Sequence, residues 1–315
     1  MATPSIYIIL LNYNAYNDTS DCIASLEKIT YPNAEIVVVD NASTDDSLSQ
    51  LQKLYPQLTY IPSQENKGFS GGCNLGIQYA LDNNADYVLL LNNDTEVEPD
   101  FLEYLVELAE RNPKAGLVGG KIYFHHDKTK LWDAGGEINF YKGAGVRRGH
   151  NTTDLGKFET EEEVTFVTGC MMLIRTEVLI QVGLLPECYF FGVEEWDYSC
   201  LVKNAGFQLW YCPLSVIYHK VGGSHDDWDP SFYYNFLRSR ILFMKRNASN
   251  TLYLFWLVKF FIYQHLIKVA LNIDPKPRKI FSYVRIRAFK DQINKGSMTK
   301  EQFVDFKIAL DSKFG

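Results

Sequence analysis

The pattern of apolar residues between positions 5 and 94 constrains the fold of this chain more than any other feature. Near-continuous apolar runs at residues 5–11, 34–39, 58–61 and 87–91 predict strands, and the segments between them predict helices. Strands that are apolar throughout are covered on both faces. The alternation therefore predicts an α/β domain with a mostly parallel central sheet flanked by helices. Ligands of such sheets bind beyond the carboxyl ends of the strands, where this sequence places polar residues.

The rest of the chain extends this pattern and then becomes helical. Residues 132–163 show no clear periodicity and are predicted to form loops with short strands. Other predicted strands lie at 116–124, 164–175 and 208–219, and predicted helices at 45–55, 71–83, 101–111 and 194–204. Helices are predicted beyond residue 230, at 232–245, 251–273, 281–295 and 299–312. We therefore predict a main domain at 1–237 and a helical extension at 238–315.

Charge is distributed unevenly along the chain. The net charge is −7, but the segment from Arg238 onward carries 16 Lys and Arg against 5 Asp and Glu, a net +11, and the preceding residues carry 15 against 33, a net −18. A composition of 46% hydrophobic and 22% charged residues excludes a disordered or collagen-like chain. The basic tail predicts an anionic partner, either a membrane surface or a nucleic acid.

The cysteines and the first residues indicate a compartment. The six cysteines are scattered, with no CxxC pair and no spacing typical of zinc sites, which predicts buried thiols in a reducing environment. The first residues, MATPSIYIILLNYN, lack the basic region and the cleavage site of a signal peptide. We therefore expect a cytoplasmic protein.

Two segments after predicted strands suggest nucleotide binding. Asp40 ends an apolar strand and precedes Asn41, where a carboxylate can accept hydrogen bonds from a base or ribose; the alternative is an aspartate that caps its own turn. The segment ENKGFSGGCNLG at 65–76 places Gly68, Gly71 and Gly72 before a predicted helix, which lets backbone amides approach a diphosphate. It matches neither a Walker loop nor GxGxxG, so a dinucleotide-dependent dehydrogenase is disfavoured.

Candidate metal ligands follow two other strands. Asn92, Asn93 and Asp94 close a buried strand, and carboxylate and amide oxygens are ligands for Mg²⁺ or Mn²⁺; the alternative is a turn motif. His219 ends a second apolar run and is the best candidate among six histidines, although a lone histidine is more often structural.

An acidic cluster lies in aromatic surroundings. Glu194, Glu195 and Asp197 follow YFFGV, and carboxylates beside apolar rings have raised pKa values, which suits a general base. The alternative is the solvated first turn of a helix, where acids are favoured by the helix dipole. Helical spacing places Glu194 and Asp197 on roughly one face and directs Glu195 elsewhere.

Together and in this order, these segments resemble the inverting glycosyltransferases of family 2 over residues 5–246. The resemblance rests on Asn12 at the first strand end, the Asp40 loop, ENKGFSGGCNLG, Asn92 to Asp94, TGCMM at 168–172 and an acidic pair followed by histidine. It implies the GT-A fold, with a donor-binding half at about 1–124 and an acceptor half at about 125–237.

The resemblance also implies the chemistry. The donor is a nucleotide-diphosphate sugar, Asp94 and His219 hold Mg²⁺ or Mn²⁺, and Glu195 is the catalytic base, flanked by Glu194 and Asp197. The base deprotonates an acceptor hydroxyl, which attacks from the opposite face and inverts the anomeric carbon. The residues implied to bind the donor are Asn12, Asn14, Asp40, Asn41, Asn66, Gly68, Gly72, Asn74, Asn92, Asn93 and Asp94.

The segments ENKGFSGGCNLG, LLLNND and PECYFFGVEEWDYS are most similar to the rhamnosyltransferase branch. That branch implies dTDP-rhamnose as donor and a growing surface glycan or lipid-linked saccharide as acceptor. The alternatives are a transferase of the same fold that uses UDP-GlcNAc or UDP-galactose, and an inactive sugar-nucleotide-binding scaffold. Two residues depart from the family pattern. Asn92 replaces the first Asp of the metal motif and removes one charge, and Glu195 replaces the Asp of the acidic pair and lengthens the base by one methylene.

The apolar segment at 252–273 is long enough to span a bilayer, which takes about 20 residues. It contains Lys259, His265 and Lys268, so we predict an interfacial helix instead, with Trp256 in the membrane and the basic residues of 276–290 against anionic headgroups. The alternative is a helix packed on the main domain or on a second subunit of a homodimer. Membrane contact through 252–290 places the protein at the inner face of the membrane. No motif supports nucleic acid as the partner.

Overall fold

The computed structural model describes residues 3–221, 229–264, 278–297 and 299–314. Its strands are β1 Ile6–Asn12, β2 Ala34–Asp40, β3 Thr59–Pro62, β4 Tyr87–Leu91, β5 Thr95–Val97, β6 Ala115–Phe124, β7 Asp127–Asp133, β8 Gly136–Asn139, β9 Ala144–Arg147, β10 Thr152–Thr153, β11 Glu162–Val164, β12 Met171–Arg175 and β13 Gln208–His219. Its helices are α1 Tyr16–Leu26, α2 Ser47–Leu54, α3 Gly68–Asp82, α4 Phe101–Arg111, α5 Thr176–Val182, α6 Glu194–Asn204, α7 Pro230–Asn247, α8 Asn250–Ile262, α9 Arg278–Lys295 and α10 Lys300–Phe314.

One large sheet organises the main domain. Its central order is β10-β7-β6-β12-β4-β1-β2-β3, and β13 lies beside β6 and also pairs with β5 and β11. The strands β3, β2, β1 and β4 are mutually parallel, whereas β12 is antiparallel to both β4 and β6. In the register, Asn12 is opposite Asp40. The carboxyl ends of these strands therefore meet at one edge, and the predicted α/β fold is confirmed.

Alternation along the strands builds a core on each face of this sheet. Ile8 and Leu10 of β1 belong to the core formed with α1, α2 and α4, whereas Ile9 belongs to the core formed with α3, α5 and α6. This is the two-residue period of side chains along a strand. Four of the six free cysteines are buried, and Cys188 and Cys200 are partly exposed.

Helix α3 begins earlier than the sequence predicted. It starts at Gly68 and not at Gly71, so Gly71 and Gly72 lie inside the helix rather than in a loop before it. The reason is close packing, since a Cβ on Gly72 would lie 2.4 Å from the side chain of Leu11. Gly72 therefore lets the first turns of α3 lie against β1.

We expect Gly68→Ala to lower the free energy of unfolding by about 2–4 kcal/mol. Gly68 has φ +72°, and an added Cβ would lie 2.0 Å from the carbonyl oxygen of Phe190. Denaturant unfolding measures the change. Gly156→Ala is the matched control, because Gly156 has φ +74° and open space around it, so it carries only the backbone cost of about 1 kcal/mol. Equal losses for the two variants would contradict the role of the Phe190 contact.

Several elements differ from the prediction. The strand expected at 164–175 forms only at 171–175, as β12, and Val164 is the last residue of β11. Between the two strands lies a turn in which the Met171 amide donates to the Thr168 carbonyl, and β11 and β12 pair with different strands. The short elements β5 and α5 were not predicted. The segment 208–219 is a single strand, β13, with an irregular register between Cys212 and Val216.

The helical extension packs on the main domain. Helix α7 begins where Asp229 accepts hydrogen bonds from the amides of Ser231 and Phe232, and it crosses the predicted limit at 237. Of the helix predicted at 251–273, residues 265–273 lie outside the described residues, as do 276 and 277 of the predicted basic stretch. Among the helices that the structure describes, none is both long and apolar enough to cross a bilayer.

Candidate active site

A hydrogen-bond network joins the ends of β1 and β2. Asn12 donates to Asp40 at 2.8 Å, Thr19 donates to Asn12 at 2.8 Å, and the hydroxyl and the amide of Ser43 donate to Asp40 at 2.6 and 3.0 Å. Asn12 and Asp40 are both buried. This network fixes the loop after β2, which carries Asp45 and Asp46.

A cleft of about 810 Å³ opens beyond these strand ends. Four residues predicted to bind the donor line it: Asn14, Asn92, Asn93 and Asp94. Its other walls include aromatic rings from Tyr13, Tyr16 and Phe69 and carboxylates from Asp18, Asp45 and Asp46. The cleft thus combines flat apolar surfaces with polar groups, as small-molecule sites do.

The remaining predicted donor residues frame the cleft rather than line it. Asn41 donates to the carbonyl of Gly68 at 3.0 Å and to Asn66 at 3.2 Å, and Asn66 accepts from the Gly68 amide at 2.9 Å. Asn74 donates to Glu187 at 2.8 Å and also bonds the backbone of Leu185. Gly72 packs on Leu11. These contacts hold α3 against the strand edge.

Asp94 and His219 meet at the wall of the cleft. Asp94 Oδ1 lies 3.0 Å from His219 Nε2, and the ring of His219 packs edge-on against the indole of Trp132, with centroids 4.5 Å apart. His219 Nδ1 is buried and has no hydrogen-bond partner among the described residues. A carboxylate oxygen and an imidazole nitrogen fit a divalent cation such as Mn²⁺. In the described ranges, no group of three or more His, Cys, Asp or Glu is placed to hold a metal.

Helix α6 begins with Glu194 and Glu195, directly after a strained turn. Val193 has φ +86°, an outlier for a β-branched residue, of the kind found at functional sites. Glu194 is 4% exposed, and its Oε2 bonds to no group in the part of the chain that the structure describes. Burial raises the pKa of both carboxyl groups, and the charge of Glu195 raises the pKa of Glu194 further.

Asp197 joins α6 to the helical extension. It is fully buried and accepts from Arg246 at 2.7 Å and from Asn247 at 2.6 Å. Both of its carboxylate oxygens are therefore occupied by residues of α7.

The family follows from a comparison with known protein families. The family model described as Glycosyl transferase family 2 matches residues 7–183, more than half of the chain. The chain belongs to glycosyltransferase family 2.

The relatives of this glycosyltransferase have low sequence identity to it but align with most of the chain. It is 25% identical over 249 residues to the low-salt glycan biosynthesis hexosyltransferase of Haloferax volcanii, covering 78% of this chain and 76% of the relative. It is 25% identical over 244 residues to an N-acetylglucosaminyl-diphospho-decaprenol L-rhamnosyltransferase of Mycobacterium tuberculosis, covering 71% and 79%. The structure of a mannosyltransferase from Pyrobaculum calidifontis with GDP-Man and Mn²⁺ matches with a TM-score of 0.57 at 15% identity, covering 99% and 81%. The predicted GT-A fold is confirmed.

Asp133 and Arg147, two residues that interact electrostatically with Glu195, were not predicted from the sequence. Asp133 ends β7, is buried, and accepts from the Gly135 amide at 2.6 Å; its Oδ2 has no partner within the described residues. Burial raises the pKa of Asp133 to about 7. Arg147 ends β9 and lies 4.2 Å from the centre of the Trp132 ring. Its charge lowers the pKa of both Asp133 and Glu195. Periodicity did not indicate Asp133, because no strand was predicted over 127–133, although Asp133 ends β7 as Asp40 ends β2.

Proposed function

We propose that this glycosyltransferase moves rhamnose from dTDP-rhamnose, with inversion, to a hydroxyl of a growing surface glycan or lipid-linked saccharide. The observation that carries the proposal is the arrangement of the strand-end cleft, with the Asp94–His219 pair at its wall. Glu194, which is buried, and Glu195, which is partly exposed, supply the acid–base groups. Relatives named as rhamnosyltransferases support the choice of sugar.

In this proposal the donor lies in the cleft. Asn14, Asn92 and Asn93 offer amide groups to the nucleotide, and the rings of Tyr13 and Tyr16 offer surfaces for the base. Asp40, Asn12, Asn41, Asn66, Gly68, Gly72 and Asn74 contribute by holding the loop after β2 and the start of α3 in place.

Asp94 and His219 are proposed to hold a divalent cation, Mg²⁺ or Mn²⁺, together with oxygens of the donor diphosphate. Such an ion neutralises negative charge on a departing diphosphate. The two side chains, one from the turn after β4 and one from the end of β13, already meet at 3.0 Å, so they can contact one ion together. Asn92 adds an amide oxygen beside them in place of a second carboxylate.

Glu195 is proposed to be the general base. It takes the proton of the acceptor hydroxyl while the new bond to the anomeric carbon forms and the bond to the diphosphate oxygen breaks. Burial raises the pKa of Glu194, and the charge of the adjacent Glu195 raises it further, so Glu194 is the member of the pair that favours the protonated form. The charge of Arg147 favours ionised Glu195, which leaves the proton on Glu194. Asp197 supports α6 through Arg246 and does not contact the substrate.

The proposed donor is tested by calorimetry with dTDP, UDP, GDP and CDP, each with and without Mn²⁺ or Mg²⁺. We expect metal-dependent binding that is tightest for dTDP. Preference for UDP would favour a transferase that uses UDP-GlcNAc or UDP-galactose. If no nucleotide binds, the transferase proposal is wrong.

A lipid-linked acceptor also supports peripheral membrane contact through 252–290 at the cytoplasmic face. The relative in Mycobacterium tuberculosis is named for an acceptor on decaprenol. An enzyme that contacts the bilayer reaches such an acceptor without extracting its chain into water.

A further inference from the structure

Helix α8 is apolar on its outer side as well as on its packed side. Trp256 and Phe260 are buried against the extension, whereas Phe255 and Val258 are 61% and 60% exposed. Leu254 and Ile262 on the same helix are also exposed. A helix that is apolar all round belongs in a protein core or against lipid, and an exposed patch of this kind marks an interaction surface.

A groove of about 600 Å³ runs along this helix. Phe255, Val258 and Ile262 form one side, and Tyr141, from the turn between β8 and β9, forms the other. Two exposed lysines, Lys142 and Lys259, also line the groove. An apolar groove bordered by two ammonium groups is complementary to a hydrocarbon chain with an anionic head.

The hairpin of β8 and β9 connects this groove to the active site. Its turn is held by Arg240, which donates to the carbonyls of Gly143 and Lys142 at 3.0 and 2.5 Å. A Cβ on Gly143 would lie 2.4 Å from the indole of Trp256. Further along, Gly145 packs equally closely on Trp196, the residue after Glu195. One short hairpin therefore contacts both the groove and the helix that carries the proposed base.

We propose that this groove binds the hydrocarbon chain of the lipid-linked acceptor, with Lys142 and Lys259 near its anionic phosphate group. The inference rests on the proposed function and adds the site at which the acceptor is recognised. Each apolar atom of the groove adds a favourable contact with a hydrocarbon chain. The hairpin beside the groove leads to Glu195. The saccharide attached to the chain then lies on the active-site side.

Charge favours a lipid over a second copy of this chain. Lys142 and Lys259 are exposed beside the groove, whereas Arg238 and Arg285 of the extension are buried. Two copies joined through this face would bring Lys142 and Lys259 of one copy toward those of the other, at a cost in free energy. The same charges favour binding to an anionic bilayer, by about 1 kcal/mol of binding free energy for each basic residue near its surface.

The test uses the full chain and vesicles of phosphatidylcholine and phosphatidylglycerol in equal amounts, with pure phosphatidylcholine as comparison. We expect co-sedimentation with the anionic vesicles. Lipids brominated on their acyl chains should quench tryptophan fluorescence, and Trp256→Phe should remove most of that quenching, because Trp256 lines the groove. Quenching that is unchanged in Trp256→Phe would overturn the groove as the site of the chain.

A matched pair of variants separates the groove from general hydrophobicity. Phe255→Gln with Val258→Gln should weaken vesicle binding by about tenfold or more, since each substitution removes apolar contact with lipid. Ile180→Gln with Leu214→Gln is the control, because these residues are 75% and 56% exposed on other elements. Equal losses in the two double variants would overturn the proposal. So would a dimer in sedimentation velocity that only the groove variant dissociates, because a second copy would then cover this face.

A donor-binding measurement distinguishes a failure of this inference from a failure of the proposed function. Calorimetry with dTDP and Mn²⁺ does not involve the groove, so the groove variant should bind dTDP like the unsubstituted protein. If dTDP binds and vesicles do not, the inference and the proposed membrane contact are wrong, and the proposed donor and transfer reaction stand. If neither binds, both are wrong.

Discussion

Replacing Glu195 with glutamine is expected to reduce kcat for sugar transfer by about 10²- to 10⁴-fold, the usual contribution of a general base. Glutamine keeps the size of the side chain but cannot take the proton of the acceptor hydroxyl. Donor binding should be unchanged, since Glu195 does not line the cleft in which the donor is proposed to lie. The measurement combines transfer rates with calorimetry of dTDP and Mn²⁺ on the same preparation.

Glu194→Gln is the matched control for this substitution. Glu194 is the more buried of the two acids, and its pKa is raised by burial and by the charge of Glu195. If Glu194 carries the proton of the pair, glutamine closely replaces its neutral form, and transfer should keep most of its rate. A large loss in Glu194→Gln with near-normal transfer in Glu195→Gln would reverse the two roles.

The same pair predicts the pH dependence of transfer. The base acts when ionised, so kcat should fall as the pH is lowered through its pKa. Because burial raises the pKa of Glu195, this fall should occur at a higher pH than about 4.3, the value for an ordinary glutamate. This fall of kcat at low pH should disappear in Glu195→Gln. If the fall is unchanged in that variant, another group causes it.

The sequence predicted secondary structure well where a short run of neighbouring residues determines it. The apolar runs predicted β1, β2 and β4 closely, and these strands bring Asn12, Asp40 and Asn92 to one edge. The start of α3 was predicted wrongly, because glycines that fit a loop equally fit a helix pressed against a strand. Which reading holds depends on Leu11, a distant residue that periodicity does not connect to Gly72.

The acceptor side depended on contacts between residues far apart in sequence. Arg147 lies near Glu195 because the β8–β9 hairpin packs on Trp196 and is held by Arg240 of α7. Asp197 accepts hydrogen bonds from Arg246 and Asn247, so this carboxylate links α6 to α7. No local pattern specifies such pairs. The sequence therefore predicted the strand ends around the cleft, where Asn14, Asn92, Asn93 and Asp94 lie, but not the contacts that surround the acid pair.

The second large effect is expected for Asp94→Asn. Removing this charge should weaken binding of dTDP in the presence of Mn²⁺ by at least about 10- to 100-fold, since even the loss of an outer partner of a metal ligand costs that much. Asparagine preserves the shape of the side chain at the cleft wall. Binding of dTDP without a divalent ion should change little. Calorimetry in the presence and absence of Mn²⁺ measures both quantities.

Asp127→Asn serves as the control for Asp94→Asn. Asp127 begins β7 of the main sheet, and its carboxylate contacts Thr129 at 2.6 Å and Lys130 at 3.7 Å rather than the cleft. The Asp127→Asn variant should therefore keep the Mn²⁺ dependence of dTDP binding. His219→Ala should lose the same dependence as Asp94→Asn, and the double variant should lose no more than either alone, because two ligands of one ion act as a unit. Additive losses would mean that Asp94 and His219 act on the donor separately, and the shared metal site would be wrong.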